Sequence, residues 1–289
     1  MQALVFGCGY LGGVYATRLK HEGWSVAGTS RDRRKRDFLA SMGIEPVDPD
    51  DAAALAGQAR GADAVLVTSA PDANGCPALA VLPRALARAG AFPAWLGYVS
   101  TTGVYGDRDG GWVDERSATN AATVEAARRL AAERDWFEVG RGMGLTVCAF
   151  RLPAIYGPGR APFEKLRDGA ARLVRKPGQV FNRIHVEDAV SGLLASMARP
   201  RPGGIYNLCD DSPAGADAYT AFAASLLGLP SPPEVDWTDP SVAAGMRRFY
   251  LDNKRVSNAR AKAELGWRPA FADWRDGLRA ILSGENDRS

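Results

Sequence analysis

Along the first 150 residues, short fully apolar runs alternate with longer stretches whose apolar positions follow helical spacing. Residues 3–6 form the first apolar run; a glycine turn follows, then Leu11, Val14, Tyr15 and Leu19 at helical intervals to about Glu22. The unit recurs as a strand over 24–30, a helix over 34–42, a strand near 44–47, an Ala-rich helix and a strand over 62–68. Past a loop holding Pro71 come a helix over 77–89, a strand over 94–100, a polar loop, a long helix over about 122–139 and a strand over 145–151. Such alternation predicts parallel strands joined by right-handed crossovers and covered on both faces: an α/β, doubly wound sheet.

From Pro153 the rhythm breaks, with Pro- and Gly-rich segments at 156–160, 200–204 and 230–233. A strand over 204–208 is expected to return to the main sheet. Helices near 217–227, 258–265 and 273–282 are expected to form a smaller C-terminal lid at the sheet's carboxyl edge. The expected division is residues 1–155 with 183–212 as a dinucleotide-binding domain, and 156–182 with 213–289 as a substrate-binding lid.

Composition narrows the function classes. Hydrophobic residues make up 46% and charged residues 24%, as in ordinary globular proteins and unlike disordered or fibrous chains. No apolar run approaches the ~18 residues of a membrane helix, and the first strand begins almost at Met1, so a cytoplasmic location is expected. Cys8, Cys76, Cys148 and Cys209 form no C-x-x-C pair and only two histidines accompany them, which argues against a metal centre. Net charge is +3, and the one basic cluster, residues 31–36, lacks the interleaved aromatics of a nucleic-acid surface, though it suits a phosphate.

Gly7-Cys8-Gly9-Tyr10-Leu11-Gly12 is a G-x-G-x-x-G directly after a strand and before a helix. In that context Gly7 makes the tight turn and Gly9 lets a pyrophosphate approach the backbone. Gly12 lets helix and strand pack, while the first helical N–H groups, at Tyr10 and Leu11, face the anion. This makes the sheet Rossmann-like. The second strand ends in Ser30 and Arg31 rather than a carboxylate, favouring NADP over NAD, with Asp32 one residue on as the feature favouring NAD.

Together with that motif, Tyr98-Val-Ser-Thr-Thr-Gly-Val-Tyr-Gly-Asp107, Phe150-Arg-Leu-Pro-Ala-Ile-Tyr-Gly-Pro-Gly-Arg160, Asn182-Arg-Ile-His-Val-Glu-Asp188 and Ile205-Tyr-Asn-Leu208 resemble the extended and atypical short-chain dehydrogenase/reductases, specifically the NAD(P)-dependent epimerase/dehydratase-like proteins. The resemblance runs from Met1 to about Leu282. It implies further cofactor contacts at Ser69, Ala70, Pro71, Arg129 and Pro153, and a strand-end hydroxyl, Thr101 or Ser100, holding the reacting oxygen. Glu133 resembles the family's acid eight residues after its catalytic Tyr, which puts Glu125 and Arg129 in the places of the Tyr-x-x-x-Lys pair. Glu125 serves as acid or base only if burial raises its pKa, so Tyr105 and Tyr156 stand beside it as proton-donor candidates. Tyr250 and Lys254 match the spacing but belong to the lid, so that match is refused. His185 is expected to support packing. Arg160, Asn182 and Arg183 are the expected substrate contacts.

The expected function is an NADP-dependent oxidoreductase or epimerase acting on a small polar or sugar-like metabolite, with a homodimer as a compatible assembly and neither nucleic acid nor membrane as partner. A catalytically silent NADP-binding sensor and a nucleotide-sugar epimerase are the competing readings.

Overall fold

The apolar run at the N-terminus forms the first strand of the computed structural model, which describes residues 1–286. In chain order come β1 (Gln2–Phe6), α1 (Tyr10–His21), β2 (Ser25–Thr29), α2 (Arg33–Ser41), β3 (Glu45–Val47), α3 (Ala52–Arg60), β4 (Ala64–Val67), α4 (Pro77–Ala89) and β5 (Trp95–Thr101). A 3-10 turn at Thr102–Tyr105 leads to β6 (Trp112–Val113), α5 (Val124–Met143), β7 (Val147–Leu152), β8 (Ala154–Tyr156), α6 (Phe163–Arg167) and β9 (Leu173–Arg175). The chain continues through β10 (Arg183–His185), α7 (Val186–Ala198), β11 (Gly204–Asn207), α8 (Ala216–Leu226), β12 (Glu234–Asp236), α9 (Ala244–Arg247), β13 (Arg255–Val256), α10 (Ala259–Leu265) and α11 (Trp274–Asn286).

One unit comprises residues Met1–Val104, Thr123–Arg151 and Val190–Tyr206. Its seven-stranded parallel sheet has the order β11-β7-β5-β4-β1-β2-β3, with Gln2 opposite Ser25 and Ala3 opposite Ala64. The strand order reverses beside β1, and open sheets of this kind bind ligands at the carboxyl ends of the strands flanking that reversal. Leu4, Val65, Val67, Leu96 and Tyr98 of the sheet pack with Leu82 and Leu86 of α4 and Trp136 of α5, all fully buried. Helix starts are set by side chains: Asp51 accepts from Ala53 N and Ala54 N, and Thr123 from Ala126 N. Beneath α5, Arg151 donates from Nε and Nη2 to the Glu133 carboxylate at 3.2 and 2.8 Å, with both side chains under 5% exposed.

The other unit comprises residues Tyr105–Ala122, Leu152–Ala189 and Asn207–Ser289. Its strands are short parallel pairs, β8 with β10, β9 with β12 and β6 with β13. Tyr156, Phe163, Leu166, Trp274, Leu278 and Ile281 form its main core. Relative to the expected division, residues 105–122, 152–155, 183–189 and 207–212 go with this unit. Side-chain amides explain it. Asn182 donates to Lys254 O and accepts from Val256 N, while Asn253 accepts from Val180 N and donates to Gly178 O. The Asn253 carbonyl also takes the N–H groups of Arg108 and Gly110.

Asp210 is buried here beside Arg183. Its Oδ1 accepts from Ser212 N, its Oδ2 has no hydrogen-bond partner, and desolvation pushes its pKa up to about 8.

Two outcomes follow for stability. Arg151→Met alone strands a buried carboxylate and is expected to cost ~3–5 kcal/mol in urea unfolding, whereas Glu133→Leu with Arg151→Met recovers most of that loss. At Asp210 the folded state holds a proton between about pH 4 and 8 that the unfolded chain has released, so folding takes up a proton and stability falls as pH rises through that window. Thermal midpoints of Asp210→Asn should therefore gain on the parent protein from pH 4 to 8 and keep a constant offset from it above that; a constant offset throughout would refute the assignment.

Candidate cofactor and active site

The turn after β1 is held from three strands. Gly7 adopts φ +89°, its N–H donates to Thr29 Oγ1 at 2.8 Å and its carbonyl accepts the Thr68 hydroxyl. A β-carbon there would stand 2.7 Å from Ser69 N, so only glycine fits. At Gly12 a β-carbon would meet Val5 Cγ1 at 3.0 Å, which makes this the packing glycine. Gly9 differs: it is exposed, and the nearest atom to its missing β-carbon is Gly7 O at 3.9 Å. Packing does not demand a glycine at position 9, and the space beside its backbone is open. Helix α1 begins there with no side-chain cap at Gly9 and no acid in its first turn, so the positive end of its dipole has no carboxylate of that turn beside it. Tyr10 is half-buried and Leu11 buried. These residues fit the pyrophosphate of a dinucleotide. The Cys8 thiol is buried and pushed up to about 12 by desolvation, which makes it inert packing.

At the tip of β2, Ser30 is half-buried and Arg31 exposed, with Arg31 Nε 3.5 Å from Asp50. Asp32 is the N-cap of α2, accepting from Arg34 N and Lys35 N at 2.9 and 3.4 Å. The feature that favoured NAD thus caps the helix through one of its carboxylate oxygens, Oδ1. Sequence reasoning missed Arg36, which donates to Ser30 O and Arg31 O at 2.7 and 2.9 Å and pairs with Asp48 at 3.0 Å. It braces the tip rather than standing free as part of the basic cluster.

At the carboxyl end of β5, Ser100 Oγ is buried with no hydrogen-bond partner, an orphan for which the described residues supply no acceptor or donor. Thr101 is half-buried and its Oγ1 accepts from Gly103 N at 3.1 Å, leaving its proton to donate. Ser69 Oγ at the end of β4 is likewise buried and unpartnered; Ala70 is exposed and Pro71 and Pro153 half-buried. Arg129 donates to Val99 O, and to Ser69 O at 3.4 Å, and its guanidinium lies 5.9 Å from the Tyr98 ring centroid. It therefore ties α5 to the ends of β4 and β5. Glu125 is exposed in the first turn of α5, a position without the burial that an acid/base role required of it.

Four expectations in the second unit are corrected. Tyr105 is fully buried and donates its hydroxyl to Asn207 Oδ1 at 2.8 Å, so it is a structural tie and not a proton donor. Tyr156 is 4% exposed, packed edge-on against His185 and covered by Gly277 of α11, and burial raises its pKa further above the usual phenol value. Asn182 spends its amide on residues 254 and 256. Arg183 is buried, donates to Phe181 O and Ala214 O at 3.1 and 3.0 Å and stacks 4.3 Å from the Tyr219 centroid, leaving no substrate-facing surface. Arg160 is exposed. The refusal of Tyr250 and Lys254 agrees with the geometry: Tyr250 OH reaches Val174 O at 3.4 Å and Lys254 Nζ pairs with Asp252 at 3.3 Å. Among the described residues no group of three or more His, Cys, Asp or Glu side chains is placed to hold a metal, and no helix is long and apolar enough to cross a membrane.

Comparison with known proteins bears on the fold and the family. A functionally unknown conserved protein from Silicibacter pomeroyi is 43% identical, with 98% of each chain covered and a TM-score of 0.91. A 3-diazoavenalumate denitrifying reductase from a Streptomyces species is 30% identical over 181 residues, 58% of this chain and 55% of that one, so the chain spans about half the length of that relative. MoeE5, solved with UDP-glucose and NAD, shares the fold over 100% of both chains at 21% identity and a TM-score of 0.81. The glycine turn, the reversal of strand order beside β1 and the strand-end hydroxyls all lie within residues 3–209, the stretch that matches the NAD dependent epimerase/dehydratase family, and the chain belongs to that family.

Proposed function

We propose that this protein is an NADP(H)-dependent oxidoreductase or epimerase acting on a small polar or sugar-like metabolite. The observation that carries the reading is the open space at Gly9 in front of an uncapped, acid-free helix N-terminus, a backbone cradle for a pyrophosphate. A nicotinamide cofactor agrees with the NAD found in MoeE5, and reductase chemistry with the Streptomyces relative. The 2′-phosphate preference rests on Ser30 and Arg31 at the β2 tip, with Asp32 committed to the α2 cap. The Arg31–Asp50 pair does not oppose this, because an exposed ion pair contributes only ~0–1 kcal/mol and yields to a phosphate.

In this reading the cofactor supplies or accepts a hydride. Thr101 donates a hydrogen bond from its hydroxyl to the substrate oxygen, keeping its proton, and the orphaned Ser100 hydroxyl finds its partner there. Arg129 acts as a fixed, permanently charged donor that orders the ends of β4 and β5 without exchanging a proton. That same commitment favours a second reading, a catalytically silent NADP-binding sensor, in which the cofactor is held and no turnover occurs.

Titration of the purified protein with NADPH and NADH separates the outcomes. NADPH is expected to bind more tightly; Arg31→Ala should weaken NADPH selectively. Gly9→Val should remove binding of both cofactors while leaving the fold intact, since its side chain meets no protein atom closely. An NADH preference in the unaltered protein would overturn the NADP assignment. Turnover against a panel of carbonyl compounds and sugar nucleotides then decides between enzyme and sensor. If it is an enzyme, Thr101→Ala should lower the rate by roughly 10²-fold, with Glu125→Gln reporting whether that exposed carboxylate carries the proton.

A further inference from the structure

The second unit contains a cleft bounded by Pro158, Ala280, Ile281 and Gly284, with His185 and Glu285 completing its lining. Its volume is ≈ 170 Å³. Apolar cavities of about 150 Å³ accept a molecule the size of benzene. Gly284 keeps it open: among the described residues, no atom beyond its own stretch of helix lies within 4 Å of the place its β-carbon would take. The neighbouring small position on α11, Gly277, is filled from the other side by the Tyr156 ring.

His185 supplies the polar feature. It is 4% exposed, and its ring is fixed between Tyr156, at 5.2 Å between centroids, and Phe271, at 4.4 Å. Its Nδ1 accepts the Glu187 N–H at 3.3 Å. Burial pulls its pKa down to about 4, so the ring is neutral at pH 7, and with Nδ1 an acceptor the single ring proton sits on Nε2. The Glu285 carboxylate is engaged by Arg167 at 2.7 Å. With that carboxylate paired to Arg167 and the other lining residues apolar or neutral, a neutral ligand has the smaller desolvation cost here.

We propose that this cleft binds a small neutral molecule with a compact apolar body and one carbonyl oxygen, which accepts a hydrogen bond from His185 Nε2. The inference is independent of the cofactor reading, and it gives His185 a ligand-binding role alongside its packing.

Acetophenone has this chemistry, and ethylbenzene has its shape without the acceptor. The test adds each to the full-length, cofactor-free protein and follows the imidazole N–H resonances; the chain has two histidines, and the exposed His21 is the internal control. Acetophenone is expected to shift the His185 Nε2–H signal and to bind about fivefold more tightly than ethylbenzene, the ratio one net hydrogen bond provides. His185→Phe keeps an aromatic ring and should bring the two probes to equal affinity. Gly284→Leu fills the cleft with a better helix former and should lower the affinity for both by more than about tenfold, with far-ultraviolet circular dichroism confirming the fold. Equal affinity of the two probes in the unaltered protein would overturn the hydrogen-bond assignment, and acetophenone binding unchanged by Gly284→Leu would overturn the cleft itself.

Discussion

The backbone of Gly7 is the point to which the first unit is referred. Its N–H goes to a side chain at the end of β2 and its carbonyl to a side chain just past β4, while Cys8 N–H reaches Thr29 O at 2.9 Å and Ser69 N–H reaches Phe6 O at 3.3 Å. Three strand ends are thereby joined at one residue whose conformation, φ +89°, L side chains rarely adopt. The start of α1 at Tyr10, directly after this turn, follows from it. A turn fixed by backbone geometry of this kind does not depend on which side chains later specialise around it.

The second unit obtains order by other means. Its strands are two or three residues long and contribute few ladder hydrogen bonds, so side-chain amides take over the work of register. Asn182, Asn207 and Asn253 each bond to backbone or side chains far away in sequence, with Asn207 linking Tyr105 and the Ser257 carbonyl. An amide offers both a donor and an acceptor, so one buried Asn can stitch two segments at once. The cost is a polar interior in which a group such as Asp210 lies between protonation states near neutral pH.

Legibility in the sequence followed the length of the repeating pattern. Helix α4 occupies 77–89 as its apolar spacing predicts, and β5 lies within one residue of its expected start. Helix α5 begins and ends later than expected because Thr123 caps it and Gly144, at φ +67°, stops it. Helix α7 was overlooked although Val186, Val190 and Leu193 carry helical spacing. The pairing of Trp112 with Arg255 had no signal at all, because two residues show no period and the partner is remote. In the site, the glycines were legible because backbone conformation restricts residue type. Tyr105, Tyr156 and Arg183 were not, because a Tyr or Arg beside turn residues looks the same whether it faces solvent or is walled in. The Glu133–Arg151 pair was half visible: Glu133 stood out by its spacing, and its partner lay in a strand that otherwise reads as apolar core.

Gly277 bears on how this sequence can diverge. Any side chain at that position collides with the ring and hydroxyl of Tyr156, while a smaller residue at 156 leaves only a void. The two positions are therefore coupled in the order in which they can be changed as well as in space. A lineage that first trims Tyr156 passes through a loosened but foldable intermediate, and a lineage that first enlarges Gly277 meets a steric block. Of the two orders only one is open, so the glycine acts as a ratchet on the tyrosine it shelters.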